Sequence, residues 1–223
     1  SSPSRSRHSP DEGELTIPEF YHTVKSLDQV VDVDYYLPGC PPEPHQIWAV
    51  LQVIVGALLE GTPLPPKGSI VGVSNVAVCE ECDLEKSEKV ISRFYRPYEI
   101  VPEAGVCLLE QGIVCMGPAT RGGCEALCPS VGMGCRGCYG PMPGVEDQGA
   151  KMLSAIASVI GAGHESMEEA ELEKEIQAVV DTIADPAGTF YRFSMAHSLL
   201  QRANVNGSTM PTTSGSNGKG EAA

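Results

Sequence analysis

The chain has 223 residues, 42% of them hydrophobic, which is enough for the core of one ordinary domain or of two small ones. Fifteen Lys and Arg residues against 29 Asp and Glu residues give a formal charge of -14, the wrong sign for binding phosphate backbones, so no nucleic-acid partner is expected. No window approaches about 18 consecutive apolar residues and the polar start lacks the apolar region of a secretory signal, so a cytoplasmic protein without membrane insertion is predicted.

The first part of the chain carries the pattern of a parallel α/β unit. A β-rich, partly alternating segment at 30–36 predicts a first strand, which runs into the turn-forming sequence LPGCPP that contains Cys40. Apolar residues then recur at helical spacing and predict an amphipathic helix from about Pro44 to Glu60, closed by Gly61. Because ligands of such sheets gather at the carboxyl ends of strands, Cys40 lies at a candidate ligand position.

The rest of the chain divides by composition. A Pro- and Gly-rich stretch at 61–74 predicts a domain boundary, and the loop-rich residues that follow need more than apolar burial to become ordered. Two helices are predicted near the C-terminus, from about Val145 to Ile160 and from Met167 to Ala184. The predicted parts are a flexible arm at 1–13, an α/β part at 14–61, a cysteine-rich domain at 75–143, a helical segment at 144–203 and a flexible tail at 204–223.

Eight of the nine cysteines lie within sixty residues, and this segment is where the function is sought. They are Cys79, Cys82, Cys107, Cys115, Cys124, Cys128, Cys135 and Cys138. A 4Fe-4S cluster takes four thiolates, so eight thiolates divide into two such sets with none left over. Glycine-rich loops suit these clusters, because backbone N–H groups must approach the sulfur atoms. Both conditions are met here.

Other uses of these cysteines stay open at this point. Two pairs, Cys79 with Cys82 and Cys135 with Cys138, have the spacing of zinc knuckles, and the other four thiols would complete a pair of tetrahedral zinc sites. Disulfides also require an even number of cysteines, but a reducing compartment disfavours them. Unligated structural thiols are a further alternative. The spacing differs from the compact motif of bacterial ferredoxins, so motif matching alone does not choose between iron-sulfur and zinc.

Several longer motifs, however, resemble one family. They are VDYYLPGCPP at 33–42, LLEQGIVCMGPATRGGC at 108–124, CRGCYGP at 135–141, GVEDQGAKM at 144–152 and DPAGTFYRF at 185–193. In this order, and over about residues 17–202, the chain resembles the small iron-sulfur subunit of cytoplasmic nickel-iron hydrogenases. The most similar type is the methyl-viologen-reducing subunit that accompanies heterodisulfide reductase.

The resemblance implies an α/β fold: the C-terminal remnant of a flavodoxin-like parallel α/β domain at 14–61, then a loop-rich iron-sulfur domain at 75–143 and C-terminal helices. It also implies ligands for two 4Fe-4S clusters and part of a third. The distal cluster takes Cys79, Cys82, Cys107 and Cys115, and the medial cluster takes Cys124, Cys128, Cys135 and Cys138. Cys128 stands where periplasmic relatives often have proline and hold only a 3Fe-4S cluster.

Cys40 matches the last ligand of the proximal cluster, but here the chain departs from the family. The other proximal ligands normally include an earlier Cys-x-Gly-Cys motif, and no cysteine precedes Cys40. The proximal cluster is therefore incomplete in this chain unless the missing ligands are supplied, and the chain is interpreted either as a fragment or as one that another chain completes.

The implied function is electron transfer between a nickel-iron site in a separate large subunit, where dihydrogen is oxidised or protons are reduced, and a flavin or iron-sulfur partner. That partner would be heterodisulfide-reductase-like or diaphorase-like. The chain would then be a subunit of an oxidoreductase that carries the electron relay and no catalytic residue. The alternatives are a zinc-stapled structural or interaction module, or a truncated fragment without independent activity.

Basic side chains receive only minor roles. The five histidines form no ligand-spaced pair and are interpreted as surface or packing residues. Arg121 and Arg136 lie beside cysteines in the sequence, so they either offset the charge of a reduced cluster or simply face solvent.

Overall fold

The computed structural model describes residues 25–87, 90–161 and 168–201, and also the backbone of 6–9 and 13–16. Strands β1 (Ser6–Ser9) and β2 (Gly13–Thr16) form an antiparallel pair with Ser6 opposite Thr16. This differs from the flexible arm predicted at 1–13. The reason is that a two-stranded ladder rests on main-chain hydrogen bonds, which polar residues make without apolar periodicity. The predicted tail at 204–223 lies outside the described residues.

A small β-α-β unit follows. Strand β3 (Tyr35–Tyr36) leads through the Cys40 turn into helix α1 (Pro44–Glu60), and strand β4 (Ser69–Ile70) pairs with β3 in parallel, Tyr35 opposite Ser69. The predicted helix is confirmed with both of its ends. Its first residue is Pro44, and the N–H that proline lacks would have had no partner within the helix. Its last residue is Glu60, and the next, Gly61, has a left-handed φ of 68°.

The predicted strand at 30–36 is wrong in length, because only its last two residues pair with another strand. Strand β4 lies inside the segment 61–74, which the composition marked as a boundary. The Pro- and Gly-rich composition hid this strand, since two residues are too few to show an alternating pattern. The segment therefore completes the parallel pair and returns the chain to the end of β3.

Helix α1 exposes apolar side chains on more than one side. Trp48 is 63% exposed, Leu58 is 79% exposed and Leu59 is 81% exposed, and Leu51, Val53 and Val55 are close to half exposed. A helix that is apolar nearly all round is typical of a buried element. Within the described part of the chain, the one buried residue of α1 is polar: it is Gln46, in the first turn of the helix.

Residues 75–143 form irregular loops, as their composition predicts. The regular elements described there are helix α2 (Leu127–Ser130) and three short 3-10 turns. Isolated bridges join distant loops, for example Ala77 to Arg121 and Tyr95 to Ile113. The loops are thus tied by single main-chain contacts rather than by a continuous sheet.

The C-terminal helices pack against these loops and complete the apolar core, most of whose buried residues the loops themselves supply. They are α3 (Gln148–Gly161), α4 (Glu169–Val180) and α5 (Pro186–Phe190). Helix α3 buries Met152, Ile156 and Ile160 on one face, and this face joins Val179 and Phe190 in a single core. Both predicted helices are therefore present, somewhat shorter than the sequence indicated.

Two aspartates account for where helices begin. Helix α3 begins three residues later than predicted because the Asp147 carboxylate accepts hydrogen bonds from Ala150 N (2.8 Å) and Leu199 N (2.7 Å). Asp185 begins the next helix, since its carboxylate accepts from Gly188 N (3.1 Å) at the start of α5. Among the described helices, none combines the length and hydropathy needed to cross a lipid bilayer.

Replacing a core residue of α3 should destabilise the fold far more than replacing its neighbour. Met152 is fully buried, whereas Leu153 is 44% exposed. We expect Met152→Ala to lower the free energy of unfolding by about 2–5 kcal/mol, because it leaves a cavity. Leu153→Ala should cost less than about 1 kcal/mol. Urea unfolding monitored by circular dichroism checks this, and equal losses in the two variants would contradict the assignment of the buried face.

Candidate metal centre

One group of thiols gathers where the loop around Cys79 meets the loop that ends at Cys115. The pKa of the Cys79 thiol is raised to about 12, chiefly by burial and to a smaller extent by charge on the nearby thiols of Cys115, Cys107 and Cys82. Burial also raises the pKa of Cys115, with Cys107 and Cys82 among the neighbours that contribute. Four thiols separated by up to 36 positions in sequence therefore share one neighbourhood.

A second group gathers between α2 and the loop that follows it. Burial raises the pKa of the Cys138 thiol, and Cys124, Cys128 and Cys40 are the charged neighbours that raise it further. Cys135 lies between the two groups. The pKa of its thiol is raised to about 12, chiefly by burial. The charge of Cys115 contributes next, and the charge of Cys138 contributes more weakly.

The backbone around these thiols points N–H groups at sulfur. Cys135 N donates to Cys115 Sγ over 3.2 Å, and a backbone hydrogen bond from Gly117 also lowers the pKa of Cys115. Hydrogen bonds from Ala126 and Leu127 act in the same way on Cys124. Such donors stabilise a thiolate against the effect of burial. These donors offset only part of the effect of burial, so the pKa of both thiols stays raised, and the same N–H groups would hydrogen-bond the sulfur atoms once a metal holds them as thiolates.

Gly117 leaves space at the first group of thiols. A Cβ atom added there would lie 2.9 Å from Cys79 Sγ and 3.6 Å from Cys115 Sγ. Any side chain would therefore occupy the space between two thiols that belong to the same group. The donor chemistry and this space both fit an inorganic iron-sulfur group held by thiolates. In the described part of the chain, no three His, Cys, Asp or Glu side chains converge closely enough to bind one single metal ion.

Glu81 connects the two groups of thiols, a role that the sequence pattern does not reveal. Its carboxylate accepts from Gly123 N (2.6 Å), Glu125 N (3.0 Å) and Ser74 Oγ (2.7 Å). Glu81 itself directly precedes Cys82, and the two N–H groups flank Cys124. The only signal in the sequence is an acidic residue between two cysteines, which is too common to interpret without the fold. Glu81, which belongs to the loop of the first group, therefore holds the backbone on both sides of Cys124 in the second group.

Cys40 lies at the surface, where the α/β unit meets the second group of thiols. It is exposed and close enough to Cys138 for its charge to raise the pKa of that thiol. Gln46 is 2% exposed, and its amide donates to Gly72 O (2.5 Å) and Gly123 O (2.8 Å) while it accepts from Tyr139 Oη. One buried glutamine thus joins α1 to the loops that carry Cys124 and Cys138.

The described histidines and the two arginines near cysteines in the sequence make the following contacts with groups other than thiols. His45 Nε2 contacts Gly123 O (3.3 Å), and His197 contacts Asp28 (3.2 Å) and Ser26, so neither approaches a thiol in these contacts. Arg121 is buried, donates to Pro141 O (3.3 Å) and has its pKa lowered by burial. Arg136 is exposed and contacts Met133 Sδ (3.6 Å).

Known proteins similar to this chain point to one enzyme class. Residues 5–54 match the family described as NADH ubiquinone oxidoreductase, 20 Kd subunit. The chain is 40% identical over 187 residues to the G subunit of the F420-non-reducing hydrogenase of Methanothermobacter marburgensis, a match that covers 82% of this chain and 55% of that protein. It is also 40% identical over 154 residues to the iron-sulfur G subunit of the F420-non-reducing hydrogenase of Archaeoglobus profundus, covering 67% of this chain and 46% of that protein. A third relative, the corresponding G subunit of Methanothermus fervidus, is 45% identical over 124 residues, which cover 54% of this chain and 93% of that protein.

These relatives and the cysteine-rich loops define the class, which is the iron-sulfur subunits of hydrogenases, oxidoreductases built from several chains. Within that class, the chain belongs to the family of the G subunits of F420-non-reducing (methyl-viologen-reducing) hydrogenases, a family of nickel-iron hydrogenase small subunits. The family resemblance inferred from the motifs is confirmed. The chain spans about half the length of the first relatives it matches, 55% in the case of the Methanothermobacter protein.

Removing the Glu81 carboxylate should destabilise the loop around Cys124. Glu81→Ala leaves the N–H groups of Gly123 and Glu125 without their acceptor, so we expect the free energy of unfolding to fall by about 1–3 kcal/mol. Asp83 is exposed and two positions away, and Asp83→Ala is the matched control with an expected change within about 0.5 kcal/mol. Chemical denaturation of both variants measures the difference. A loss in the control as large as that in Glu81→Ala would argue against the bridging role.

The thiols of the metal-free chain should differ in reactivity, because alkylation requires the thiolate. Cys40 and Cys128 are exposed, so we expect iodoacetamide at about pH 8 to modify them first and Cys79 and Cys135 last. Mass spectrometry of the alkylated peptides gives the order.

The stability of the metal-free fold should also depend on pH. The pKa of the buried thiols of Cys79 and Cys135 is raised to about 12 in the fold, so the unfolded chain loses these protons first. The free energy of unfolding should therefore fall as the pH rises from about 9 toward 12.

Proposed function

We propose that this chain is an electron-transfer subunit that binds two 4Fe-4S clusters within a hydrogenase complex. The observation that carries the proposal is the grouping of seven of the eight clustered thiols into two neighbourhoods on glycine-rich loops, with Cys135 between them and main-chain N–H groups directed at sulfur. When bound, each 4Fe-4S cluster accepts and passes on one electron at a time. The protein supplies the thiolates, the N–H donors and a surrounding from which water is partly excluded.

The first group would hold the distal cluster with Cys79, Cys82, Cys107 and Cys115. The mutual influence of these four thiols supports the set. The second group would hold the medial cluster with Cys124, Cys128, Cys135 and Cys138. The neighbours of Cys138 support the set, and Cys135 joins it through Cys138 while also donating a hydrogen bond to Cys115. That hydrogen bond would give electrons a short path between the two clusters.

Cys40 would supply one ligand of a proximal cluster, whose remaining ligands this chain lacks. Its place in the turn after β3, near Cys138, suits a third centre in line with the medial one. We infer that β3, α1 and β4 are the C-terminal part of a larger flavodoxin-like domain. The exposed apolar sides of α1, including Trp48 and Leu58, support this, because a larger sheet and its helices would cover them.

The proposed partners are a nickel-iron large subunit, where dihydrogen chemistry takes place, and a flavin or iron-sulfur acceptor subunit that is heterodisulfide-reductase-like or diaphorase-like. The relatives named as G subunits of F420-non-reducing hydrogenases support a multi-subunit complex, which we place in the cytoplasm. The rival function is a zinc-stapled interaction module, favoured by the two Cys-x2-Cys spacings.

Metal content separates the two classes of function. We expect the chain, purified without oxygen from cells that assemble iron-sulfur clusters, to contain about eight iron and about eight acid-labile sulfide per chain. Its broad visible absorbance should bleach with dithionite. Colourless protein with about two zinc ions per chain would instead identify the structural module.

Cys128 provides a sharper test of the ligand sets. Cys128→Ser should convert the medial cluster to a 3Fe-4S form, lowering iron from about eight to about seven per chain and producing an electron paramagnetic resonance signal in the oxidised protein. Cys40→Ser is the matched control, because Cys40 is exposed like Cys128 but belongs to neither set, so iron should stay at about eight. The assignment is wrong if Cys40→Ser loses iron or if Cys128→Ser does not.

A further inference from the structure

A surface groove of about 440 Å³ lies beside the cysteine loops, between the segment at 94–98 and the start of α5. Three arginines line it, namely Arg96, Arg136 and Arg192, and none of the described residues that line it is Asp or Glu. In a chain with 29 acidic and 15 basic side chains, such a local excess of positive charge is unexpected by composition. The groove therefore differs electrostatically from most of the surface.

The arginines are free to meet an external anion. Within the described residues, neither Arg96 nor Arg192 has a carboxylate partner for its side chain, and Arg136 contacts only the sulfur of Met133. The nearest acid in sequence, Glu99, already accepts from the Arg93 side chain (3.0 Å) and from Arg96 N (2.6 Å). All three groove arginines are exposed, so their charge is available to a partner in solution.

The remaining lining has the composition of a protein interface. Tyr95, Tyr98 and Met133 line the groove together with the arginines, and Tyr98 is 85% exposed. Tyrosine, methionine and arginine are the residues enriched at the centres of protein interfaces. Exposed tyrosine beside unpaired guanidinium groups suits a polypeptide that presents carboxylates among apolar side chains.

The groove also reaches the proposed electron path. Cys135 lines it, and so do Val114 and Met116, the two residues that flank Cys115. A protein seated there would contact the loops of both proposed clusters.

We propose that this groove is the docking site of an acidic iron-sulfur electron carrier, a protein whose carboxylates pair with Arg96, Arg136 and Arg192. The proposal rests on the proposed function, because a docked carrier takes one electron from a reduced cluster of this chain and its own oxidised cluster is reduced by that electron. No bond is made or broken, and no proton needs to move. The opposite charges draw the carrier to the groove and orient it near Cys135.

The test uses the full chain with its clusters assembled, and an oxidised acidic two-cluster ferredoxin as the probe. A triple variant, Arg96→Glu with Arg136→Glu and Arg192→Glu, is compared with a control of equal charge change, Lys67→Glu with Lys151→Glu and Lys174→Glu, whose lysines are exposed outside the groove. Stopped-flow absorbance gives the second-order rate of electron transfer at about 50 and about 200 mM salt. Calorimetry of the same pair gives the dissociation constant.

We expect the groove variant to slow electron transfer at low salt by at least about tenfold, to weaken binding by a similar factor and to lose most of the salt dependence. The control should change each quantity by less than about threefold. Equal effects in both variants, or none in the groove variant, would overturn the proposal. So would full competition by inorganic phosphate at constant ionic strength, because that result identifies a small-anion site.

Failure of the proposed function would be recognised separately. In that case the wild-type chain would lack the visible absorbance of iron-sulfur clusters and would transfer no electron, whatever the state of the groove. The docking proposal is then decided by calorimetry alone. Tight binding by the wild-type chain that only the groove variant loses would support a docking site, and unchanged binding would refute it.

Discussion

The structure depends on one constraint, which is that sulfur atoms must be held close together, mostly out of water, on a backbone with little regular structure. Burial by itself favours the neutral thiol, as the raised pKa values of Cys79 and Cys135 demonstrate. Main-chain N–H groups directed at Cys115 and Cys124 act in the opposite sense. A bound metal centre would complete this balance, because a metal-bound thiol is deprotonated. The loops at 75–143 therefore combine the placement of sulfur with apolar packing, since they also carry many of the buried core residues.

The rest of the fold supports these loops from two sides. Helices α3, α4 and α5 provide a conventional apolar core on one side, centred on Met152 and Phe190. On the other side, contact with the α/β unit is polar and depends on Gln46, which donates to Gly123 O and accepts from Tyr139 Oη. Buried polar contacts of this kind tolerate little displacement, because an unsatisfied partner is costly. The α/β unit is thus held in a defined orientation at the point where Cys40 approaches Cys138.

Two surfaces remain that the described residues do not explain by packing among themselves. The sides of α1 are apolar, whereas the groove at Arg96 and Arg192 is positive in a strongly acidic chain. They differ in the interaction they favour. An apolar helix is covered permanently, as inside a domain or a stable complex, while a charged groove suits an encounter that forms and dissociates quickly. Under the proposed function, the apolar sides of α1 would be fixed in an assembly, and the groove would serve the exchange of electrons.

Helix α1 and the family of this protein could be predicted from the sequence, because the patterns that indicate them are local. Helix α1 is recognised from its 3.6-residue periodicity and its Pro and Gly ends, and the eight cysteines with their motifs indicate the family and the kind of metal chemistry. Local pattern was less informative for short elements. Strand β4 has only two residues and exists because β3 offers it a partner, and the hairpin of β1 and β2 likewise depends on pairing rather than on periodicity.

Only the tertiary structure decided which distant groups meet. Glu81 becomes important because its carboxylate reaches N–H groups more than forty positions away, and Gln46 because Tyr139 and Gly123 lie against the first turn of α1. The three arginines of the groove come from three separate segments, so their combined positive charge cannot be recognised in the sequence and arises only when the chain folds. Residue types and short-range spacing determined the chemistry available to this protein. Long-range loop closure, which sequence spacing does not encode, determined where that chemistry is brought together.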